Sequence, residues 1–244
     1  MQQVSFEIQS NRRIARDIYE LRLAGDTSAI TAPGQFVDLR LPGFYLRRPI
    51  SVCDWGEGTL RLIYKVQGKG TAALRDDPAG TKLDVLTGLG NGYDLSKCGP
   101  RPLLLGGGVG VPPLYGLAKR LVGQGSKPLA VLGFNTASEA ILLEDFAAMG
   151  VPVTVCTADG SLGLHGLVTD GMDLVGDYSH VCACGPEPML RAVYERCATG
   201  GQFSLEERMG CGFGACMGCS CQTRNGPKRI CREGPVLDKE DLPW

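Results

Sequence analysis

One cysteine-rich segment reads Met209-Gly210-Cys211-Gly212-Phe213-Gly214-Ala215-Cys216-Met217-Gly218-Cys219, and a basic, hairpin-like stretch then leads to Cys231. The four cysteines follow the spacing C-x4-C-x2-C-x11-C. This spacing is typical of a plant-type [2Fe-2S] cluster and differs from the paired C-x2-C knuckles of a zinc ribbon. The segment therefore predicts a metal centre whose ligands are Cys211, Cys216, Cys219 and Cys231.

Most residues between the first three cysteines are small: Gly212, Gly214, Ala215 and Gly218. The two larger ones are Phe213 and Met217. A backbone with so few side chains can wrap closely and direct several N–H groups at the cluster sulfurs. Two alternatives stay open: a zinc site with four thiolate ligands, and Cys221 as the fourth ligand. The loop must return to close the site, which favours Cys231.

The composition limits the classes of function. The chain has 244 residues, 43% of them hydrophobic, which suits two modest domains of barrel or α/β type, and its net charge of −1 gives no support for nucleic-acid binding. We find neither a signal peptide nor a membrane-length apolar run and expect a cytoplasmic protein whose eleven cysteines stay thiols or bind metal. With only two histidines, His165 and His180, a cofactor must carry the chemistry, and no catalytic side chain is assigned.

Six β-type runs recur in the first part of the chain and are separated by turn residues. They cover residues 4–9, 18–23, 35–41, 49–53, 59–66 and 82–86. Apolar and polar residues alternate within the third and fifth runs, as in strands with one buried face. Six such strands predict a small antiparallel barrel.

Two segments of this barrel have the chemistry of a diphosphate site. Arg47-Arg48-Pro49-Ile50-Ser51 places a guanidinium and a hydroxyl where a loop becomes a strand, and both groups bind phosphate. Gly68-Lys69-Gly70-Thr71 precedes a predicted short helix over 72–76, whose free N–H groups could bind the same anion. A solvated loop and an ordinary turn are the respective alternatives.

A dinucleotide-binding pattern follows a linker near residues 97–101. An apolar strand over 102–105 leads into Gly106-Gly107-Gly108-Val109-Gly110 and then into a predicted helix over 115–122. This glycine string is not a strict G-x-G-x-x-G. Further strand–helix units at 128–149, 151–156 and 180–198 predict a parallel sheet covered on both faces, with the ligand at the carboxyl ends of its strands.

The last of these units carries Cys184-Gly185-Pro186 at the edge where a nicotinamide would lie, and the thiol and glycine would let a flat ring approach closely. The turn after the second strand, Gly133-Phe134-Asn135-Thr136, has no basic residue for a 2′-phosphate, which favours NAD over NADP. Four other thiols are expected to be small buried apolar residues: Cys53, Cys156, Cys182 and Cys197.

Taken in order, the strings RPIS (48–51), GKGT (68–71), GGGVGVPPL (106–114) and CGPEPML (184–190) resemble motifs of the ferredoxin-NADP reductase superfamily of flavoproteins, with Ile50 where an aromatic residue is common. The added strings CGFGACMGCSC (211–221) and CREGPV (231–236) resemble one branch, the electron-transfer subunits of NAD-dependent (class 1B) dihydroorotate dehydrogenases. The likeness covers essentially the whole chain.

The resemblance implies three domains: an FAD-binding β-barrel over 1–98, a Rossmann-like NAD-binding α/β domain over 99–202 and a [2Fe-2S] domain over 203–244. It implies that FAD is bound by Arg48, Pro49, Ile50, Ser51, Tyr64, Lys65, Val66, Gly70 and Thr71. The candidate residues for NAD, which enters as a substrate, are Gly106, Gly107, Gly108, Gly110, Cys184 and Gly185.

The function implied is electron transfer from an FMN-containing dihydroorotate dehydrogenase subunit, through the cluster and FAD, to NAD in pyrimidine (UMP) biosynthesis. A flavin suits the middle position because it exchanges both two electrons with nicotinamide and one with a cluster. The chain lacks a (β/α)8 scaffold, so it should not act on dihydroorotate alone, and a heterotetramer of two plus two subunits is expected. Phe213 and Met217 are candidates for the partner face, with packing against the cluster as the alternative.

Two other functions stay open. The chain could be a reductase subunit that serves a hydrogenase, a sulfide dehydrogenase or ferredoxin. It could also be a non-enzymatic redox regulator that uses the four cysteines as a switch. The regulator would bind no flavin and would leave the phosphate-binding motifs without a role.

Overall fold

Six antiparallel strands close into a barrel at the start of the computed structural model, which describes residues 1–244. They are β1 (Gln2–Ala15), β2 (Ile18–Ala24), β3 (Phe36–Arg40), β4 (Arg48–Gly56), β5 (Thr59–Lys65) and β6 (Lys82–Leu89), in the order β1-β2-β5-β4-β3-β6. Each predicted run overlaps one strand, so the predicted barrel is confirmed. Alternation explains the core, since Val37 and Leu39 point inward among fifteen buried apolar residues.

A short helix, α1 (Lys69–Arg75), connects the last two barrel strands. It begins three residues before the predicted start at residue 72. The reason is local: Thr71 Oγ1 accepts hydrogen bonds from the backbone N–H groups of Gln67 (3.1 Å) and Gly68 (3.3 Å), which fixes the first turn. Leu74 then packs into the barrel core.

The second unit is a seven-stranded sheet. Six of its strands run parallel: β7 (Leu103–Gly107), β8 (Leu129–Phe134), β9 (Val153–Thr157), β10 (Leu164–His165), β11 (Val181–Cys184) and β12 (Gly201–Ser204). The helices are α2 (Val111–Gly123), α3 (Leu143–Ala148), α4 (Val168–Met172) and α5 (Glu187–Arg196). α2 and α3 pack on one face and α4 and α5 on the other, which confirms the predicted doubly covered sheet.

Parts of this unit differ from the sequence-based prediction. The predicted helix within 128–149 is wrong over its first residues, because Leu142 has a φ of +63° and α3 begins only after it. The strands β10 and β12 and the helix α4 were not predicted; each is too short to show a clear period.

The cysteine segment is inserted between two neighbouring strands. The chain leaves the sheet at Ser204 and rejoins it at Val236, the first residue of β15 (Val236–Asp238), which pairs antiparallel with β12. Between them lies a hairpin of β13 (Ser220–Thr223) and β14 (Gly226–Arg229), as the basic stretch predicted. The predicted boundary at 202 falls inside β12, and the three-part division of the chain stays a prediction.

Barrel and sheet meet along α2, which lies against β4. Two ion pairs extend this contact: Arg61 with Asp145 at 2.7 Å, and Lys65 with Glu139 at 2.9 Å. None of the helices combines the length and the apolar character that a membrane crossing requires.

Candidate functional site

A cleft of about 860 Å³ opens where the barrel, the parallel sheet and the cysteine segment meet. Its walls include Arg48 and Pro49 of the RPIS string, Gly185 and Pro186 of the CGPEPML string, and Met209 and Cys221 beside the predicted cluster ligands. Its size is that of a site for a small molecule or cofactor. The fold therefore brings segments that are far apart in the sequence to one cavity.

The two predicted phosphate-binding segments lie in contact. Gly70 is packed so closely under the Arg48 guanidinium that a Cβ there would overlap Nε. Arg48 also lies 4.9 Å above the Phe44 ring, and its Nη1 donates to the Leu46 carbonyl at 2.6 Å. Only Nη1 of this guanidinium donates hydrogen bonds within the chain, to the Leu46 and Arg47 carbonyls, and a guanidinium is a group that binds phosphate.

The other expected FAD residues divide into two groups. Pro49, Ile50 and Ser51 continue β4 beside the cleft and pair with β3. The Tyr64 ring is buried in the barrel and its hydroxyl donates to Asn11 Oδ1 at 3.0 Å, while Lys65 is held by Glu139. At Tyr64 and Lys65 the side chains are thus engaged inside the protein, and a cofactor would meet chiefly the main chain.

The expected NAD residues come together at the carboxyl ends of two adjacent parallel strands. Gly106 and Gly107 end β7, and Cys184 pairs with Gly106 at the end of β11. Gly110 lies against the Cys184 carbonyl, where any Cβ would overlap it, and Gly185 follows directly. The order in which successive strands are added to the sheet reverses at β7, since β8 lies on one side of β7 and β11 on the other. That crevice is where open α/β sheets bind dinucleotides.

Cys184 offers no nucleophile to this crevice. Burial raises the pKa of its thiol to about 12, so the group is neutral at pH 7. Cys53, Cys156, Cys182 and Cys197 are buried as predicted.

The thiols of the cysteine segment are arranged as two pairs. Cys211 and Cys216 exchange backbone N–H to Sγ hydrogen bonds of 3.4 Å each, and the Ala215 N–H donates to Cys211 Sγ at 3.2 Å. In the second pair, the Cys231 N–H donates to Cys219 Sγ at 3.4 Å. Two thiol pairs with N–H donors fit a cluster of two irons.

The two pairs differ in proton affinity. At Cys211, burial opposes ionisation, but hydrogen bonds from the N–H groups of Phe213, Cys216 and Ala215 outweigh it and lower the pKa to about 6. At Cys231, burial and the hydrogen bond with Cys219 raise the pKa to about 12. Binding of iron at Cys231 must therefore release a proton.

Asp38 lies between the barrel and the cysteine segment, and sequence reasoning missed it. It lies on β3 opposite Pro49, is 1% exposed, and its Oδ1 has no hydrogen-bond partner within the chain. Its other oxygen contacts Gly212 of the cysteine segment. Burial raises its pKa to about 7, against the opposing charge of Arg47. An orphaned buried carboxylate between the two motif regions fits a site that a polar group completes. The only sequence signal was an acid in the middle of a strand.

Comparison with known proteins identifies the family of the chain. The family model for the iron-sulfur cluster binding domain of dihydroorotate dehydrogenase B matches residues 206–243, which include all four cysteines. The electron transfer subunit of dihydroorotate dehydrogenase B (NAD(+)) from Bacillus caldolyticus is 45% identical over 243 residues, or 94% of each chain. The corresponding subunit from Geobacillus kaustophilus is 44% identical over 243 residues, again 94% of each.

A solved structure agrees with the fold. The NADH-dependent reduced ferredoxin-NADP oxidoreductase superposes with a TM-score of 0.89 and 32% identity, covering 98% of this chain and 90% of that one. The resemblance found in the sequence motifs is confirmed. On the extent of its identity with the curated relatives, the chain belongs to the family of electron transfer subunits of dihydroorotate dehydrogenase B (NAD(+)).

Proposed function

We propose that this chain carries electrons from the catalytic subunit of a dihydroorotate dehydrogenase to NAD, with a [2Fe-2S] cluster and FAD as its carriers. The observation that carries the proposal is the single cleft that joins the Arg48 segment, the turn after β11 and the cysteine segment. Electron transfer needs its carriers close together, and this cleft is where the fold brings their binding segments within reach of each other.

The roles of the residues follow from their positions. Arg48, with the Gly70–Thr71 turn beneath it, holds the FAD diphosphate. The glycines at the ends of β7 and β11 let NAD approach the backbone closely. The N–H groups around Cys211 and Cys216 hold the sulfurs of the cluster. FAD, when bound, supplies the exchange between electron pairs and single electrons.

The partner surface is the apolar rim around the cysteine segment. Phe213 and Met217 are 43% and 52% exposed, and Tyr45 and Leu46 are exposed on the loop before β4. Both loops border the cleft, through Leu46 and Met209. Exposed apolar side chains gathered near a redox site suit a docking surface for another protein. We propose that an FMN-containing catalytic subunit covers it in a heterotetramer of two plus two, in the cytoplasm, for pyrimidine (UMP) biosynthesis.

The test is to co-express the chain with a candidate FMN subunit and to measure dihydroorotate-dependent NADH formation. We expect activity from the pair and loss of it with Cys216→Ser. The isolated chain should pass electrons from NADH to artificial acceptors and should not oxidise dihydroorotate. Oxidation of dihydroorotate by the isolated chain would overturn the proposal.

A second candidate is a reductase subunit that serves ferredoxin. The structural match at a TM-score of 0.89 and 32% identity favours it, since that protein is named for reduced ferredoxin and NADP. Co-purification discriminates the two: the first function predicts an FMN protein bound to the chain, and the second predicts ferredoxin reduction by NADH without one.

A further inference from the structure

The helix that starts at the NAD glycine turn is packed against the strand that starts with the FAD motif. α2 begins directly after Gly110, and β4 begins at Arg48. They are in close contact at Gly116, where a Cβ would lie 2.5 Å from the Cys53 carbonyl oxygen. Ordinary contact for a Cβ begins at 3.4 Å, so no side chain fits there without moving the helix or the strand.

The strand is shaped for this approach. The pairing of β4 with β5 shifts register between Val52 and Asp54, which places Cys53 in a β-bulge. A bulge re-aims one residue of a strand, and bulges are common beside functional sites. Cys53 itself is fully buried, in the same apolar cluster as Val111 and Leu114 of α2. The contact at Gly116 is thus part of the core.

Polar contacts one turn further along α2 stabilise the same contact between α2 and β4. The Arg120 guanidinium stacks on the Trp55 ring at 3.4 Å from its centroid. Lys119 Nζ and Arg120 Nη1 pair with the two oxygens of Asp54 at 2.5 and 3.4 Å. Residues 116, 119 and 120 share one helix face, so the ion pairs and the stacking contact hold Gly116 close to β4.

We propose that Gly116 is a positioning residue that sets the distance between the bound nicotinamide and the flavin. The inference rests on the proposed function. In hydride transfer the nicotinamide C4–H bond breaks, an N–H bond forms on the flavin, and a proton from water completes the reduced flavin. The rate of such a direct transfer depends steeply on the separation of the two atoms. Since α2 carries one ligand and β4 the other, their contact at Gly116 fixes that separation.

Gly116→Ala tests this directly. The added methyl group lies about 0.9 Å inside ordinary contact and must move α2 away from β4. We expect reduction of bound FAD by NADH, measured by stopped flow, to slow about 100-fold, the usual cost of a misplacement near 1 Å. The long-wavelength charge-transfer absorbance of the NADH–flavin complex should be lost. FAD content, and NAD⁺ affinity by calorimetry, should stay unchanged because neither binding segment is altered.

Gly123→Ala is the matched control. It makes the same change on the same helix, at a glycine with no atom within 4 Å of the added Cβ, and it should leave the rate and the absorbance unchanged. An unchanged rate and band in Gly116→Ala, or an equal loss in Gly123→Ala, would overturn the inference.

Asp54→Asn and Arg120→Gln keep the test decisive if Gly116→Ala does not fold. Each substitution weakens the Asp54–Arg120 ion pair between α2 and β4 without adding atoms. Each should slow flavin reduction by about threefold and weaken the charge-transfer band. Full rate and band in both variants would contradict the proposal. A wild-type chain that binds no FAD, or whose FAD NADH cannot reduce, would instead refute the proposed function itself.

Discussion

The barrel and the cysteine segment are ordered by opposite means. The barrel closes its hydrogen-bond ladder on itself around fifteen buried apolar residues. Residues 205–219 form neither helix nor strand, and backbone N–H groups at Cys211, Ala215, Cys216 and Gly218 donate to sulfur. The barrel is therefore held by its apolar core and its strand hydrogen bonds. The cysteine segment is held largely through its sulfur atoms, so its conformation depends on what the thiols bind.

The largest expected effect is on the segment alone. Cys216→Ser removes one ligand of the first thiol pair, and we expect complete loss of the cluster, measured as bound iron and as the EPR signal of the reduced protein. The barrel should keep its FAD because its strands and Arg48 are unaltered. Cys221→Ser is the control and should retain the cluster. Loss of iron in Cys221→Ser together with its retention in Cys231→Ser would show that the fourth ligand is misassigned.

Arg48→Met tests the barrel side of the comparison. Loss of charge-assisted hydrogen bonds to the diphosphate should weaken FAD binding by about 10- to 100-fold, which a flavin fluorescence titration measures. The EPR signal of the cluster should persist. Arg13→Met, an exposed arginine on β1, serves as the control and should bind FAD normally. Equal FAD affinity in both variants would remove Arg48 from the site.

Glu20→Gln breaks the barrel's buried charge network. Glu20 is fully buried and pairs with Arg12, Arg22 and Arg61. Because Arg12 and Arg22 are 64% and 50% exposed and Arg61 keeps Asp145, the free energy of unfolding should fall by about 1–2 kcal/mol, measured by urea titration. Glu7→Gln, an exposed acid on β1, should change it little. Equal stability of the two variants would show that the network is not a stabilising feature.

The pH dependence of stability should change in the same variant. Burial opposes the charge of Glu20, but hydrogen bonds from Arg22 and Arg12 and the charge of Arg61 outweigh it, so its pKa lies below 4.5. A lowered folded pKa contributes stability above pH 4.5 that is lost as the pH falls through the folded value. Glu20→Gln should therefore lose less stability than wild type on acidification. Identical acid limbs in the two unfolding profiles would contradict this.

Iron removal should have the smallest effect on the barrel. After chelation we expect unchanged far-UV circular dichroism and new protease cleavage within residues 205–219, identified by mass spectrometry. Unfolding of the barrel under the same treatment would mean that the two regions are not independent.

Much of this architecture was predictable from the sequence because it repeats a period. The barrel strands alternate, and the glycine turn follows an apolar strand, so both were found from local patterns. The cysteine spacing likewise predicted Cys211, Cys216, Cys219 and Cys231, and the structure brings them into two pairs.

The rest depends on contacts between distant segments. Asp38 gains its role only because the cysteine segment packs against it, and Gly116 only because Cys53 lies in a bulge beneath it. The helix predicted within 128–149 is wrong before Leu142, whose left-handed backbone conformation no local preference indicates. Edge strands such as β15 are too short to show a period. They form because a neighbouring strand, here β12, offers backbone groups for pairing.

The attachment of the cysteine segment to Ser204 and Val236, a bonded pair on neighbouring strands, has a consequence for repair. Oxygen or peroxide that strips the iron leaves both ends of the segment in register on an intact sheet. The four thiols then stay on one loop whose two ends are held on neighbouring strands, so rebinding of iron needs no rearrangement of the sheet.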